Sequence, residues 1–93
     1  MIQKVSSEFL MISIEQIRGA RGLLGWSQTE LAEAAGRSLP TIKRLEREHG
    51  EGPIVSDDVR EAVQKALEKA GVEFIPENGG GAGVRMKKRA GRR

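Results

Sequence analysis

The stretch IRGARGLLGWSQTELAEAAGRSLPTIKRLE, residues 17–46, decides the fold. Two glycines, Gly25 and Gly36, interrupt it, and each is followed two residues later by a serine, Ser27 or Ser38. Glycine adopts the left-handed conformation that ends a helix at little cost, and a serine hydroxyl accepts a hydrogen bond from the free amides that begin one. The stretch therefore predicts three short helices joined by two tight turns.

Capping boxes predict where the first two helices begin. Ser13 is followed three residues later by Gln16, and Ser27 by Glu30. In each pair the serine hydroxyl can accept from the backbone amide of the later residue, whose side chain can accept from the serine amide. The first helix is predicted to run from this cap to Gly25, and the second to about residue 35. At helical spacing, the buried stripe of the second helix is predicted to be Leu31, Ala34 and Ala35.

The third helix is predicted to begin at Ser38 and to end near Glu48. Pro40 occupies its second helical position, where no intrahelical amide bond is lost. Ile42 and Leu45 are three residues apart and are predicted to face inward, which turns the opposite side of the helix to solvent. A glycine-rich loop follows.

A fourth helix and a β-hairpin are predicted to complete the chain. Ser56 caps the helix, its apolar positions repeat at helical spacing, and Gly71 ends it. The period then changes to two on both sides of the loop at 77–83, which is typical of a hairpin. Because a lone hairpin is marginally stable, we expect it to pair with a second copy of the chain. The predicted dimerisation residues are Val72, Phe74, Ile75, Val84 and Met86.

The spacing alone fits any small helical bundle, but the residues resemble one family more closely. The pattern SQxxLA at 27–32 followed by GxSxxTIxxLE at 36–46 resembles the phage-repressor-like (Cro/CI, Xre-type) helix-turn-helix family. The resemblance extends from residue 14 to about residue 70, and the segment 72–88 looks like the C-terminal extension of a bacterial subfamily. It implies a mainly α, lambda-repressor-like domain of four or five helices, followed by the hairpin.

The resemblance also implies which residues meet DNA. The third helix becomes the recognition helix in the major groove, with Leu39, Pro40 and Arg44 at the base-reading positions. Gln28, Ser38 and Thr41 match phosphate contacts, and the position of Gln28 also buttresses the recognition helix. Arg21 and Glu46 match an inward salt bridge. The predicted DNA-binding residues are Gln28, Arg37, Ser38, Leu39, Pro40, Thr41, Lys43, Arg44 and Arg47.

Several of these residues have a plainer interpretation. Gln28 is also an ordinary second residue of a helix, and Arg37 is either a phosphate contact or an exposed turn residue. Lys43, Arg44 and Arg47 could be a solvated helix face, since acidic residues lie beside them in the sequence.

Composition excludes several classes of function. The chain has no cysteine and one histidine, so thiolate metal sites, disulfides and cysteine nucleophiles are excluded and a histidine pair is absent. No recognisable motif pairs a base with a nucleophile, so we expect no enzyme, no cofactor and no small-molecule ligand. No apolar run is long enough for a membrane span and no secretory signal is visible, so the expected location is the cytoplasm.

Charge is unevenly distributed along the chain. Residues 85–93 hold six of the 16 basic residues and no acidic one, so residues 1–84 carry a net charge of −3. The basic end is either a solubilising tail or an unselective attraction for polyanions. At the other end, residues 9–12 could form a short strand, or Met11 could be the natural start.

These patterns divide the chain into an N-terminal extension at 1–12, a helix-turn-helix domain at 13–71, a dimerising hairpin at 72–88 and a basic tail at 89–93. The expected function is sequence-specific binding of double-stranded DNA by a homodimer, repressing transcription at a near-palindromic operator. The alternative is a protein-interaction module, an antitoxin or anti-activator that masks a partner. RNA binding is less favoured, because no exposed stacking aromatics are predicted.

Overall fold

Four helices precede a two-stranded antiparallel hairpin in the computed structural model, which describes residues 12–47, 56–77 and 79–87. The segments 1–11, 48–55 and 88–93 lie outside the described residues, and with them most of the predicted N-terminal extension, the predicted loop after the third helix and the predicted basic tail. In chain order the elements are α1 (Ile14–Leu24), α2 (Gln28–Ala35), α3 (Leu39–Arg47), α4 (Asp57–Lys69), β1 (Val72–Ile75) and β2 (Gly83–Met86).

The ends of α1 and α2 are those the local sequence predicts. The amide of Gln16 donates to Ser13 Oγ at 3.0 Å, and the Ser13 amide donates back to Gln16 Oε1 at 2.9 Å. The same reciprocal pair joins Ser27 and Glu30. Both helices end at a glycine in the left-handed conformation, with φ 70° at Gly25 and 69° at Gly36. Capping chemistry therefore sets the length of both helices.

The starts of α3 and α4 also follow the sequence. Ser38 Oγ accepts from the amide of Thr41 at 3.2 Å, and Ser56 Oγ accepts from the amide of Val59 at 3.4 Å. The described part of α3 ends at Arg47, and α4 ends one residue before its cap, Ala70. The predicted end of α3 near Glu48 lies outside the described residues.

An aliphatic core fills the space between the four helices and the hairpin. Its completely buried side chains include Ile17 of α1, Leu31 of α2 and Leu67 of α4. The predicted stripe of α2 is wrong at one position, because Ala34 is exposed and Ala32 is only 3% exposed. The helix presents Leu31 and its neighbour to the core, a rotation of the buried face that spacing within eight residues does not fix.

The apolar face of the hairpin packs on the core of its own chain. Val72 pairs with Met86 and Phe74 with Val84, so these four side chains share one face, as the alternation predicts. Val72 is 1% exposed, while Phe74 and Val84 pack against the buried cluster. The expectation that this face is left for a second chain is therefore wrong for Val72, because α1 as well as α4 covers the hairpin.

A glutamine and a glycine on α1 hold the hairpin. The Gln16 amide donates from Nε2 to the carbonyl of Gly83 at 2.9 Å and to that of Ile75 at 3.3 Å. A Cβ at Gly19 would lie 3.2 Å from Val84 Cγ2, so the absence of a side chain lets β2 approach the helix closely. The hairpin is thus an integral layer of the domain.

No helix within residues 12–47, 56–77 and 79–87 is long and apolar enough to cross a membrane.

Candidate nucleic-acid interface

Helix α3 has one buried and one charged face. Ile42 and Leu45 are fully buried and anchor it on the core. Lys43, Arg44 and Arg47 are exposed on the other side, and none forms an ion pair within the part of the chain that the structure describes. The helix therefore presents three basic side chains to solvent.

Glu46, the acidic residue on α3, points inward. Its side chain is 3% exposed and forms a two-pronged ion pair with Arg21 of α1, with Nε to Oε2 at 2.8 Å and Nη2 to Oε1 at 2.9 Å. The hydrogen bond to Glu46 raises the pKa of Arg21 more than burial lowers it. Because this carboxylate is turned away and neutralised, it does not offset the positive charge of the outer face.

Three more hydrogen bonds place this ion pair at the junction of α1, α2 and α3. Gln28 donates from Nε2 to Glu46 Oε1 at 3.1 Å, and Arg21 Nη1 donates to the carbonyl of Trp26 at 3.0 Å. Arg18 donates to the main-chain carbonyl of Glu46. One buried carboxylate thus fixes the start of α2 and the orientation of α3 relative to α1.

The predicted contact residues at the start of α3 form a small surface of two polar and two apolar side chains. Ser38 and Pro40 are exposed, while Leu39 and Thr41 are half-buried. The hydroxyls of Ser38 and Thr41 lie 2.8 Å apart, so each is oriented by the other. Leu39 and Pro40 have no polar side-chain atom, which limits them to recognising shape or a methyl group.

Gln28 lies half-buried at the start of α2, beside this surface. Its bond to Glu46 accounts for the buttressing part of the role that the resemblance implies, since it links α2 to the predicted recognition helix. The plain interpretation of Gln28 as an ordinary helical residue does not account for that bond. Its predicted phosphate contact stays a prediction.

Arg37 has a partner that neither sequence interpretation included. In the turn before α3, its Nη2 donates to Asp58 Oδ2 at 2.9 Å, which joins the turn to the first turn of α4. The side chain of Arg37 is 34% exposed and that of Asp58 is 79% exposed.

Sequence reasoning missed the second function of Gln16 and the contacts of Gly19, Arg18 and Asp58. Each acts across 21 or more residues of sequence. The capping box explained Gln16 completely at the local level, so no signal in the sequence pointed to the hairpin carbonyls. Gly19 inside a helical pattern was the one available signal, because a glycine there costs helix stability unless it serves packing.

In the described residues, no group of three or more histidine, cysteine or carboxylate side chains is arranged to hold a metal ion.

Comparison with known proteins agrees with this geometry. The family model described as "Helix-turn-helix" matches residues 17–51, which include α2, the turn and α3. No curated protein matches the chain. The matched segment contains the exposed basic face of α3 and the buried ion pair behind it.

Proposed function

We propose that this protein, whose residues 17–51 match a helix-turn-helix family model, is a sequence-specific transcriptional repressor that binds double-stranded DNA as a homodimer, in the manner of the phage-repressor-like (Cro/CI, Xre-type) family. The observation that carries the proposal is the outer face of α3. Three exposed cations lie on it, and its acidic residue is buried and paired behind it. A helix with such a face fits the major groove and complements the phosphates on both sides.

Within this proposal the exposed side chains of α3 divide into two groups. Arg44 reads bases, because its planar guanidinium can donate two hydrogen bonds to O6 and N7 of guanine. Leu39 and Pro40 recognise the shape of the groove or contact a thymine methyl group. Lys43 and Arg47 flank the reader and neutralise phosphates, which gives affinity without sequence information.

The phosphate contacts lie where α2 and α3 begin. Gln28, Ser38 and Thr41 have polar side chains there, and the bonds of Gln28 to Glu46 and of Ser38 to Thr41 hold them in fixed orientations. Side chains held in this way position a protein on the duplex at little further cost in rotamer entropy.

Repression by blocking access to a promoter is the simplest mechanism, since it requires only occupancy of the site. A homodimer would bring two copies of α3 to successive major grooves about 34–36 Å apart, on a near-palindromic operator. The proposal involves no catalytic step, cofactor or small-molecule ligand, and the expected location is the cytoplasm.

The hairpin is the proposed dimer contact, through an edge of the sheet. The amide of Lys87 donates to the carbonyl of Gly71, so these two residues form a hydrogen-bonded pair of the antiparallel ladder. Hydrogen-bonded and non-hydrogen-bonded pairs alternate along such a ladder. The N–H and C=O groups of Val84 and Met86 therefore point away from β1. Such edge groups need either a partner strand or water. Met86, 40% exposed, adds apolar surface at the same edge.

Met86→Lys is expected to weaken the dimer about tenfold, equivalent to about 1.4 kcal/mol, by placing a charge in the contact. Sedimentation velocity over a range of protein concentrations measures this. Ala34→Lys makes a similar change at an exposed position of α2 and is expected to leave the dimer intact. If the wild-type protein is a monomer, or if Met86→Lys and Ala34→Lys weaken the dimer equally, the proposed hairpin dimer is wrong.

Arg44→Ala is expected to weaken binding to the preferred duplex by about 1–3 kcal/mol and to relax the preference at one base pair in each half-site. The reason is the loss of two directed hydrogen bonds to one base. Selection of bound sequences from a random duplex pool, followed by titration of wild type and variant, measures both effects.

Lys43→Ala is the matched control for Arg44→Ala. It removes one exposed charge from the same helix and is expected to reduce affinity for all duplexes alike, with a shallower dependence on salt. An Arg44→Ala variant with an unchanged preferred sequence would show that α3 is not the reader. Wild-type binding that is weak and independent of salt would instead favour the alternative, a module that masks a protein partner.

A further inference from the structure

The ion pair between Arg37 and Asp58 lies next to the proposed DNA-binding surface. Arg37 directly precedes Ser38, the residue that caps α3, and Asp58 lies in the first turn of α4. Their contact at 2.9 Å therefore puts a carboxylate within one side chain's reach of the start of the recognition helix. A carboxylate at that position repels phosphate and occupies a cation that could bind it.

The pair has the features of a contact that is easily exchanged. Asp58 is 79% exposed, and exposed ion pairs contribute little to stability because water and salt screen them. The guanidinium of Arg37 is also incompletely bonded, since its Nε is buried and has no hydrogen-bond partner among residues 12–47, 56–77 and 79–87. A new acceptor that draws the guanidinium outward would release this buried donor.

We propose that Asp58 restrains Arg37 in the free protein, and that a DNA phosphate displaces Asp58 and takes its place on the guanidinium. The inference rests on the proposed function and deepens it. The acid lowers the affinity for every duplex by the same factor, because the contact it competes with carries no sequence information. A DNA site that makes good base contacts stays occupied despite this loss of affinity. A random sequence, bound only through its phosphates, does not stay occupied.

The chain offers a matched control in Asp57. It lies beside Asp58 in the first turn of α4, is exposed, and makes no ion pair within the residues that the structure describes. Asp57→Asn and Asp58→Asn each remove one negative charge near the same helix end. They differ in that Asp58→Asn alone releases Arg37.

The test is a titration of random-sequence duplex DNA by fluorescence anisotropy between about 50 and 200 mM salt, the range in which phosphate contacts change affinity most. Asp58→Asn is expected to bind about two- to fivefold more tightly than wild type, the range that an exposed ion pair can supply. The slope of its plot of log affinity against log salt is expected to equal that of wild type, because Arg37 contacts the phosphate in both proteins once DNA is bound. Asp57→Asn should show a smaller gain in affinity and an unchanged slope.

The Arg37→Gln background decides whether the effect passes through Arg37. In that background Asp58→Asn and Asp57→Asn are expected to become equivalent, because there is no guanidinium left to release. Equal effects of the two substitutions with Arg37 present, a gain from Asp58→Asn that survives Arg37→Gln, or weaker binding by Asp58→Asn would each overturn the inference. Urea unfolding of every variant checks that the fold is retained.

The two proposals fail in different ways. If wild type binds DNA with a steep salt dependence but Asp58→Asn behaves like Asp57→Asn, the restraint is wrong and the proposed function stands. If wild type does not bind duplex DNA, the proposed function is wrong and the restraint falls with it.

Discussion

A chain that ends at Gly71 is expected to lose a large part of its free energy of unfolding. The truncation removes Val72, which is completely buried, together with Phe74 and Val84, which pack against the core. Burial of side chains of this size contributes about 1.5–3 kcal/mol each when complete, so we expect a loss of roughly 3–6 kcal/mol. Domains of this size have about 5–15 kcal/mol in total.

Urea unfolding followed by circular dichroism measures that loss. The matched control is a chain that ends at Lys87, which keeps both strands and the bond from Lys87 to Gly71 and is expected to unfold like the full chain. If the chain ending at Gly71 unfolds at the same urea concentration as the control, the hairpin is an appendage and its packing on α1 contributes nothing to stability.

The helix boundaries could be predicted because the forces that set them are local. A serine and the residue three positions later decide where α1 and α2 begin, and Gly25 and Gly36 decide where they end. All the atoms involved lie within a few residues of each other. The two faces of the hairpin could be predicted for the same reason, since alternation assigns Phe74 and Val84 to one face before any tertiary contact is considered.

The placement of the hairpin could not be predicted, because it depends on contacts between distant residues. The side-chain amide of Gln16 bonds carbonyls 59 and 67 residues away. In the sequence, that glutamine is fully explained by its capping box. The apolar alternation of the two strands was therefore compatible with two arrangements: a face exposed for pairing with a second chain, and a face buried on the core of its own chain.

The candidate site divides in the same way. The inward pairing of Arg21 with Glu46 followed from the family pattern, and the structure confirms it with two hydrogen bonds. The pairing of Arg37 with Asp58 did not follow, because Arg37 occupies a position that the pattern leaves unspecified and its partner lies 21 residues further on. Electrostatic partners of exposed residues depend on how α4 packs, which no local rule determines.

Glu46→Ala is expected to be the most damaging single substitution at the site, costing about 3 kcal/mol of unfolding free energy. It removes the acceptor of Arg21 and of Gln28 together, leaving a guanidinium that is 22% exposed without its charge partner. Partial access to water keeps the cost below the upper end for a fully buried pair. Thermal or urea unfolding measures it.

Two variants separate the ion pair from other effects of this substitution. Glu33→Ala removes an exposed carboxylate of α2 and is expected to change stability by less than about 0.5 kcal/mol. Gln28→Ala removes one neutral donor from the same carboxylate, so a loss of about 1 kcal/mol is expected. A Glu46→Ala variant as stable as Glu33→Ala would contradict a structural role for the pair.

Glu46→Ala is also expected to weaken specific DNA binding, when binding is measured at a temperature where the variant is folded. Without the carboxylate, α3 loses its ion pair with α1 and Gln28 loses the bond that orients it. The residues proposed to read bases and to contact phosphates are then no longer held in one rigid arrangement. Removal of the buried acid also makes the domain more basic, which strengthens its non-specific attraction for phosphates. For random duplex, this gain offsets the phosphate contacts that are lost. Affinity for the preferred duplex is therefore expected to fall at least tenfold, about 1.4 kcal/mol, while affinity for random duplex changes little. A uniform rise in affinity for all sequences would show instead that Glu46 acts only through its charge.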